Sequence, residues 1–283
     1  MTLTDRDRSG SALDVLNLLE AGELHNTRWS LDIRDARSGA TLAEFDNHQL
    51  LRTASVAKVY LLIEVAARVI AGDLDRLLPV DRRSVSPVAD SGLWQYLAGN
   101  VLPVVDVARL VGSVSDNLAT NVLIDLVGLQ AVQARAAKYA ADGSTVHDLV
   151  RDVRGAGDPA TFSEGSAADW ASLFVRLKQG SAESPRVSEL VMDWLAAGAD
   201  LSMVASAFGL DPLAHAGAVD RRIMLWNKTG TDAGVRADVG AVNLGRQTLA
   251  YAVVCNWSPL ARPDPRDRVL LAMRKIGEAL LCH

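Results

Sequence analysis

Strand-like segments stand at both ends of this 283-residue chain, and most of the stretch between them reads as helix. Near the start, W-S-L-D-I-R-D-A (29–36) alternates apolar and polar residues, R-S-G-A supplies a turn and T-L-A-E-F-D follows, the pattern of a hairpin. In the last third, R-I-M-L-W-N-K-T-G (222–230), R-A-D-V-G-A-V (236–242) and Q-T-L-A-Y-A-V-V-C-N-W (247–257) are three strand candidates separated by glycine-rich or polar turns. The expectation is one antiparallel sheet built from both chain ends, with everything between inserted as a lobe.

Helical spacing fills in the rest. Residues 11–21 open with S-A-L-D, a serine followed three places later by an acid, and carry Leu13, Leu16 and Leu19, which predicts a first helix. Val59, Leu62, Ile63, Ala66, Val69 and Ile70 mark one buried face of a second helix, which Gly72 would close. Leu118, Val122, Leu123, Leu126 and Val127 mark another. Residues 264–281 start with D-P-R-D-R and run through Leu270, Leu271, Met273, Ile276 and Leu280, a closing helix placed to pack on the sheet beside the first. The fold class is therefore mixed, α+β. It is expected to be one domain over 1–283, with a sheet lobe at about 11–54 and 221–283 and a mostly helical lobe at about 55–220.

With 49% hydrophobic and 22% charged residues, a large core is available and long disorder is not expected. The net charge of −5, with Lys and Arg scattered among acids, leaves no basic stripe for a nucleic acid. The start M-T-L-T-D-R-D-R-S-G lacks the apolar core of a signal peptide, and the apolar run from Val59 is broken by Glu64 and Arg68, so neither export nor a membrane span is expected and the chain reads as cytoplasmic. Cys255 and Cys282 suit reduced thiols rather than a disulfide framework. The five histidines show no metal-ligand spacing, and no phosphate-binding glycine motif occurs, so neither a metal nor another cofactor is expected.

Chemistry enters at T-A-S-V-A-K (53–58), where the helical pattern from Val59 begins. Residues three apart on a helix share a face, so Ser55 and Lys58 would point into one space, with the serine at the positive helix end. A serine hydroxyl needs a base, and a lysine serves as one only where burial or nearby positive charge lowers its pKa. S-x-x-K alone is common by chance. Two further triplets give it company: Ser115-Asp116-Asn117 at the start of a second apolar helix, and Lys228-Thr229-Gly230 at the end of a strand-like segment.

S-x-x-K, S-D-N and K-T-G in this order resemble the signature of class A β-lactamases and penicillin-binding proteins, and the resemblance covers residues 25–283. It implies a β-lactamase-like fold and an acyl-transfer site for a small-molecule amide or ester. Ser55 would be the nucleophile, Lys58 its base and Ser115 a proton relay to the leaving nitrogen. Lys228 would keep Lys58 deprotonated and, with Thr229, bind a substrate carboxylate, while Asn117 would hold a substrate amide. The resemblance further implies backbone N–H groups of Ser55 and Thr231 as oxyanion donors, Gly230 as a bare strand edge for the substrate to lie against, and Arg236 as a carboxylate-binding arginine. Trp94 and Tyr96 fall where the family often places an aromatic cleft wall, and core packing explains them equally well.

The family's E-x-x-L-N loop, whose glutamate activates the deacylating water, is missing from this sequence. Registering G-D-P (157–159) on that loop brings Asp148 to the glutamate position and Asp152 to the asparagine position, and Glu164 is a second candidate base. The function expected first is a serine β-lactamase that hydrolyses β-lactams through an acyl-enzyme on Ser55; the second is a penicillin-binding, peptidase- or esterase-like enzyme that releases its acyl group slowly, and the third a non-catalytic binding module. The intact motif residues argue against the third.

Overall fold

The computed structural model describes residues 26–216 and 222–282, so the helix expected over 11–21 lies outside them. β1 (Thr27–Asp35) and β2 (Thr41–Phe45) form the expected hairpin, followed by β3 (Leu51–Arg52) and a 3-10 turn at Ala54–Ala57. Then come α1 (Lys58–Ala71), β4 (Pro79–Asp81), β5 (Val101–Pro103), α2 (Val104–Val114), α3 (Asn117–Val127) and α4 (Leu129–Ala137). β6 (Thr145–Val146), β7 (Ser163–Gly165), α5 (Ala167–Lys178) and α6 (Pro185–Ala196) complete the inserted lobe. The chain ends with β8 (Met224–Asp232), β9 (Val235–Asn243), β10 (Thr248–Trp257) and α7 (Arg266–Leu281).

The main sheet is antiparallel in the order β2-β1-β10-β9-β8, so the first hairpin and the last three strands close one sheet, as expected. Trp29 faces Cys255, Leu31 faces Val253 and Ile33 faces Tyr251 across the β1–β10 seam. Alternation along the strands divides the core in two. Ala237, Val239 and Ala241 of β9 and Ala250, Ala252 and Val254 of β10 turn to the inserted lobe, and these short side chains leave room for Trp170 and Phe174 of α5. The larger Leu31, Ile33, Tyr251 and Val253 turn the other way, against Val269, Met273 and Ile276 of α7. β8 is left as an edge strand, open along one side.

α1 runs through the middle of the inserted lobe, with every residue from Lys58 to Ala66 buried. Its buried Glu64 is held by Arg68 and by Arg135, each at 2.7 Å, and Gly72 ends the helix in the left-handed region at φ 84°. The lobe is less purely helical than its sequence pattern implies. β3-β7-β6 make a three-stranded sheet and β4-β5 a two-stranded one. Strands of two or three residues are too short to leave a period-2 pattern, which is why the sequence reads as loop there. Among the described residues, no helix is long and apolar enough to cross a membrane.

Candidate active site

Ser55 sits in the 3-10 turn directly before α1, and the residue ahead of it, Ala54, has φ 47°. A left-handed conformation is costly for alanine and persists only where its surroundings hold it. Here the hold comes from Ser163 of β7. Its hydroxyl donates to the Ala54 carbonyl at 2.7 Å and bonds the Thr53 hydroxyl at 2.9 Å, while its own carbonyl accepts from the Thr53 N–H at 3.2 Å. Asn256 adds a second anchor: its side-chain amide pairs with both the N–H and the carbonyl of Arg52 at 2.9 Å, tying β3 to β10. Neither Ser163 nor Asn256 stands out in the sequence, because their partners are backbone groups far away in the chain.

Lys58 opens α1 and is 1% exposed. Its Nζ lies 2.6 Å from the Ser115 carbonyl, 2.7 Å from Asn117 Oδ1 and 3.3 Å from Ser115 Oγ. Burial first, and the charge of Lys228 second, push its pKa well below the ordinary lysine value, against the opposing pull of Asp116 and Asp90. All three contacts run from Nζ to oxygen acceptors, so loss of a proton would release one of them and leave a lone pair on the amine.

The S-D-N segment fits this role through its backbone. Ser115 caps α2 at φ 56°, which turns its carbonyl and hydroxyl toward Lys58. Asp116 caps α3 by accepting from the Ala119 N–H at 2.8 Å and fastens the preceding loop by accepting from the N–H groups of Leu93 and Trp94 at 2.7 and 2.8 Å. Asn117 was expected to hold a substrate amide. Its Oδ1 is engaged by Lys58 and its Nδ2 donates to the Ala89 carbonyl at 3.0 Å, so it also braces the amine against the loop at 89–91.

On β8, Lys228 and Gly230 lie two residues apart and face the nucleophile turn. Lys228 is 3% exposed and donates to the Thr229 carbonyl at 2.9 Å; burial brings its pKa down to about 8, against the pull of Asp200 and Asp238. Gly230 has a role the sequence does not show: a Cβ there would stand 2.0 Å from the Thr53 carbonyl oxygen. The missing side chain lets the strand pack directly on the nucleophile turn.

Behind this strand lies a buried carboxylate that sequence reasoning did not single out. Asp238 of β9 is fully buried, opposite Thr229. It accepts from Asn227 Nδ2 at 3.0 Å, the Tyr251 hydroxyl at 3.1 Å and the Ala205 N–H at 3.3 Å. Burial nevertheless raises its pKa from 3.8 to about 7. The native state thus holds this proton more tightly than the unfolded chain does, and the resulting stability is full below pH 3.8 and lost as pH rises toward 7. Asp238→Asn stays neutral and escapes that loss. Relative to the parent, the variant is expected to gain about 2 kcal/mol between pH 5 and pH 8 in urea unfolding, whatever constant cost the amide itself carries. An offset between the two proteins that does not change with pH would rule out a carboxyl that titrates in this range.

A cavity of about 970 Å³ collects these groups. Ser55, Ser115, Asn117, Lys228, Thr229 and Thr231 line it, so three segments far apart in sequence converge on one space, with Lys58 buried beneath. The opposite wall is formed by Val150, Arg151, Asp152, Arg154 and Phe162. Several expected residues are absent from the lining. Asp148 is bound to Arg151 at 2.6 Å and Arg154 at 2.9 Å, and against the penalty of burial these arginines hold its carboxyl below the ordinary value. Glu164 lies on β7 near His147, 3.5 Å away. Arg236 faces Thr231 across the strand pair, but its guanidinium donates to the Val235 and Asp232 carbonyls and rests over Trp257. Trp94 is a core residue and Tyr96 is 76% exposed, and neither is among the residues that line the cavity.

The sequence profile of the beta-lactamase enzyme family matches residues 14–283. The chain belongs to the beta-lactamase enzyme family. Among solved structures, it is similar to a β-lactamase from Sphaerobacter thermophilus, with 25% identity, a TM-score of 0.81, and coverage of 94% of this chain and 95% of that one. A variant of PBP-A, captured as an acyl-enzyme complex with penicillin G, shares the fold at 20% identity and a TM-score of 0.77, covering 96% and 95% of the two chains. A β-lactamase from Xanthomonas campestris does so at 18% identity and a TM-score of 0.78, covering 97% of each. No curated protein matches the sequence. Family and fold together support a serine hydrolase of the β-lactamase and penicillin-binding type.

Proposed function

We propose that this β-lactamase-family chain is acylated on Ser55 by β-lactams, and that hydrolysis of the resulting ester is the slower half of its reaction. The observation that carries the first part is Lys58: a buried amine, its pKa lowered by desolvation and by Lys228, held by Ser115 and Asn117 beside the cavity that holds Ser55. In this reading Ser55 Oγ attacks the lactam carbonyl as its proton passes to Lys58. Ser115 gives its hydroxyl proton to the lactam nitrogen as the C–N bond breaks and takes up in its place the proton held by Lys58. Lys228, Thr229 and Thr231 receive the substrate carboxylate from the edge strand, and the backbone N–H groups of Ser55 and Thr231 face the developing oxyanion. Arg236 would join them only by leaving its carbonyl partners.

Slow release is favoured by the loop wall. Asp148, the expected base, is neutralised by two arginines and stands outside the cavity lining, and Glu164 is outside it as well. Mixing the protein with a chromogenic β-lactam is expected to give one equivalent of rapid colour with a matching rise in intact mass, followed by slower turnover. Ser55→Ala is expected to abolish both signals. Colour that continues over many equivalents at the initial rate would remove the slow-release half of the reading. An unchanged Ser55→Ala variant would remove all of it.

A further inference from the structure

A second cavity of about 450 Å³ lies between α1, α2 and α6. It is not an extension of the first. α1 begins at Lys58 and reaches this cavity with Val69 and Ile70, eleven and twelve residues on, which at the helical rise is about 17 Å away. α2 meets it at Val105 and the catalytic cavity at its other end, from Gly112 to Ser115.

Its chemistry is distinct. Val69, Ile70, Val105 and Leu190 supply an apolar floor of a size suited to a small molecule. Arg76 and Arg186 stand at its rim, and neither guanidinium has an ion-pair or hydrogen-bond partner among the described residues. Of the two acids present, Asp193 is already bound to Arg109 at 2.5 Å, and Glu189 leaves the rim with one net positive charge. Trp194 also lines the cavity. It is 1% exposed, so it adds apolar surface at the floor rather than an open polar group.

We propose that this cavity is a second, non-catalytic binding site for a small amphipathic carboxylate, with an aromatic or branched apolar body on the helix floor and its acid group on Arg76 and Arg186. Guanidinium and carboxylate match in geometry as well as charge, so the acid group rather than the apolar body sets the selectivity. The probe pair is 4-phenylbutyrate and 4-phenylbutanol, which share one body and differ in the charged end. Each is titrated calorimetrically into the full chain and into the Arg76→Ala/Arg186→Ala variant, whose two changes are exposed and whose thermal melt checks that it stays folded. The expected result is binding of the carboxylate to the parent with a dissociation constant below about 1 mM, and binding at least about tenfold weaker for both the alcohol and the double variant. No carboxylate binding up to about 10 mM overturns the proposal, as does equal binding of the alcohol. Undiminished binding by the double variant also overturns it, since the probe would then sit elsewhere, the catalytic cavity included.

Discussion

Lys58→Met is expected to slow acylation of Ser55 on the order of a thousandfold, within the range that a positioned general base supplies. Methionine keeps the length of the side chain and removes the basic nitrogen. The Ser115 carbonyl and Asn117 Oδ1 lose their donor, at about 1–3 kcal/mol for each buried acceptor. Relief from burying an amine offsets part of that cost, so the variant remains folded. Mass increase after mixing with a β-lactam measures the rate. The companion change, Lys228→Met, tests the electrostatics. The charge of Lys228 lowers the pKa of Lys58, so removing it raises that pKa, and at a given pH more of the base is protonated. The acid limb of the acylation profile should therefore move to higher pH in Lys228→Met. A limb that stays in place would mean that the two ammonium groups are not coupled, and the role assigned to Lys58 would have to pass to another group.

The part of this site that was legible in the sequence is the part made by local spacing. Ser55 and Lys58 are three apart, Ser115 to Asn117 are contiguous, and Lys228 to Thr231 lie along one strand. Each triplet folds locally, and the sheet that joins the chain ends brings the last to the first two. What the sequence concealed is the support. Ser163 steadies the left-handed turn at Ala54, Asn256 pairs with a backbone 204 residues away, and Asp238 is buried behind the edge strand. Isolated polar residues in strand-like runs read as solvated alternation, and only tertiary packing reveals that these three point inward. The short strands β3 to β7 escaped for a related reason: they pair through backbone groups that every residue carries.

The loop wall is a different case. A carboxylate at a matching register position need not face the same space, and Asp148 is not among the residues that line the cavity. Arg151 and Arg154, three and six residues on, are near enough to capture it, and a paired carboxylate stays where its partners are. The same sequence carries both facts. A carboxylate followed closely by two arginines is a candidate ion pair before it is a candidate base, and D-L-V-R-D-V-R displays that pattern openly.

Gly230→Ala is the sharpest structural test, because a single methyl group is placed where neither neighbour has room. The new Cβ would lie 2.0 Å from the Thr53 carbonyl oxygen and 3.1 Å from its carbon, both backbone atoms, and 3.2 Å from Val56 Cγ2. The strand cannot absorb this locally: Gly230 is in register with Ala237, in a ladder that carries Lys228 and Thr231 on either side. The turn cannot yield freely either, since Thr53 is bonded to Ser163 and Ala54 already occupies a left-handed conformation. Whichever side moves, β8 and the nucleophile turn separate. Lys228 then acts on Lys58 from farther away, and the substrate carboxylate is held farther from Ser55. A displacement of about an ångström is enough to cost on the order of a hundredfold in acylation, with about 1–3 kcal/mol lost in stability from overpacking. The acid limb should also rise, in the same direction as in Lys228→Met, because both changes weaken the same repulsion. Gly99→Ala is the control: nothing lies within 4 Å of a Cβ there, and its rate and stability should match the parent. If Gly230→Ala behaved like that control, the close packing of edge strand on nucleophile turn would not be what brings the three motifs together.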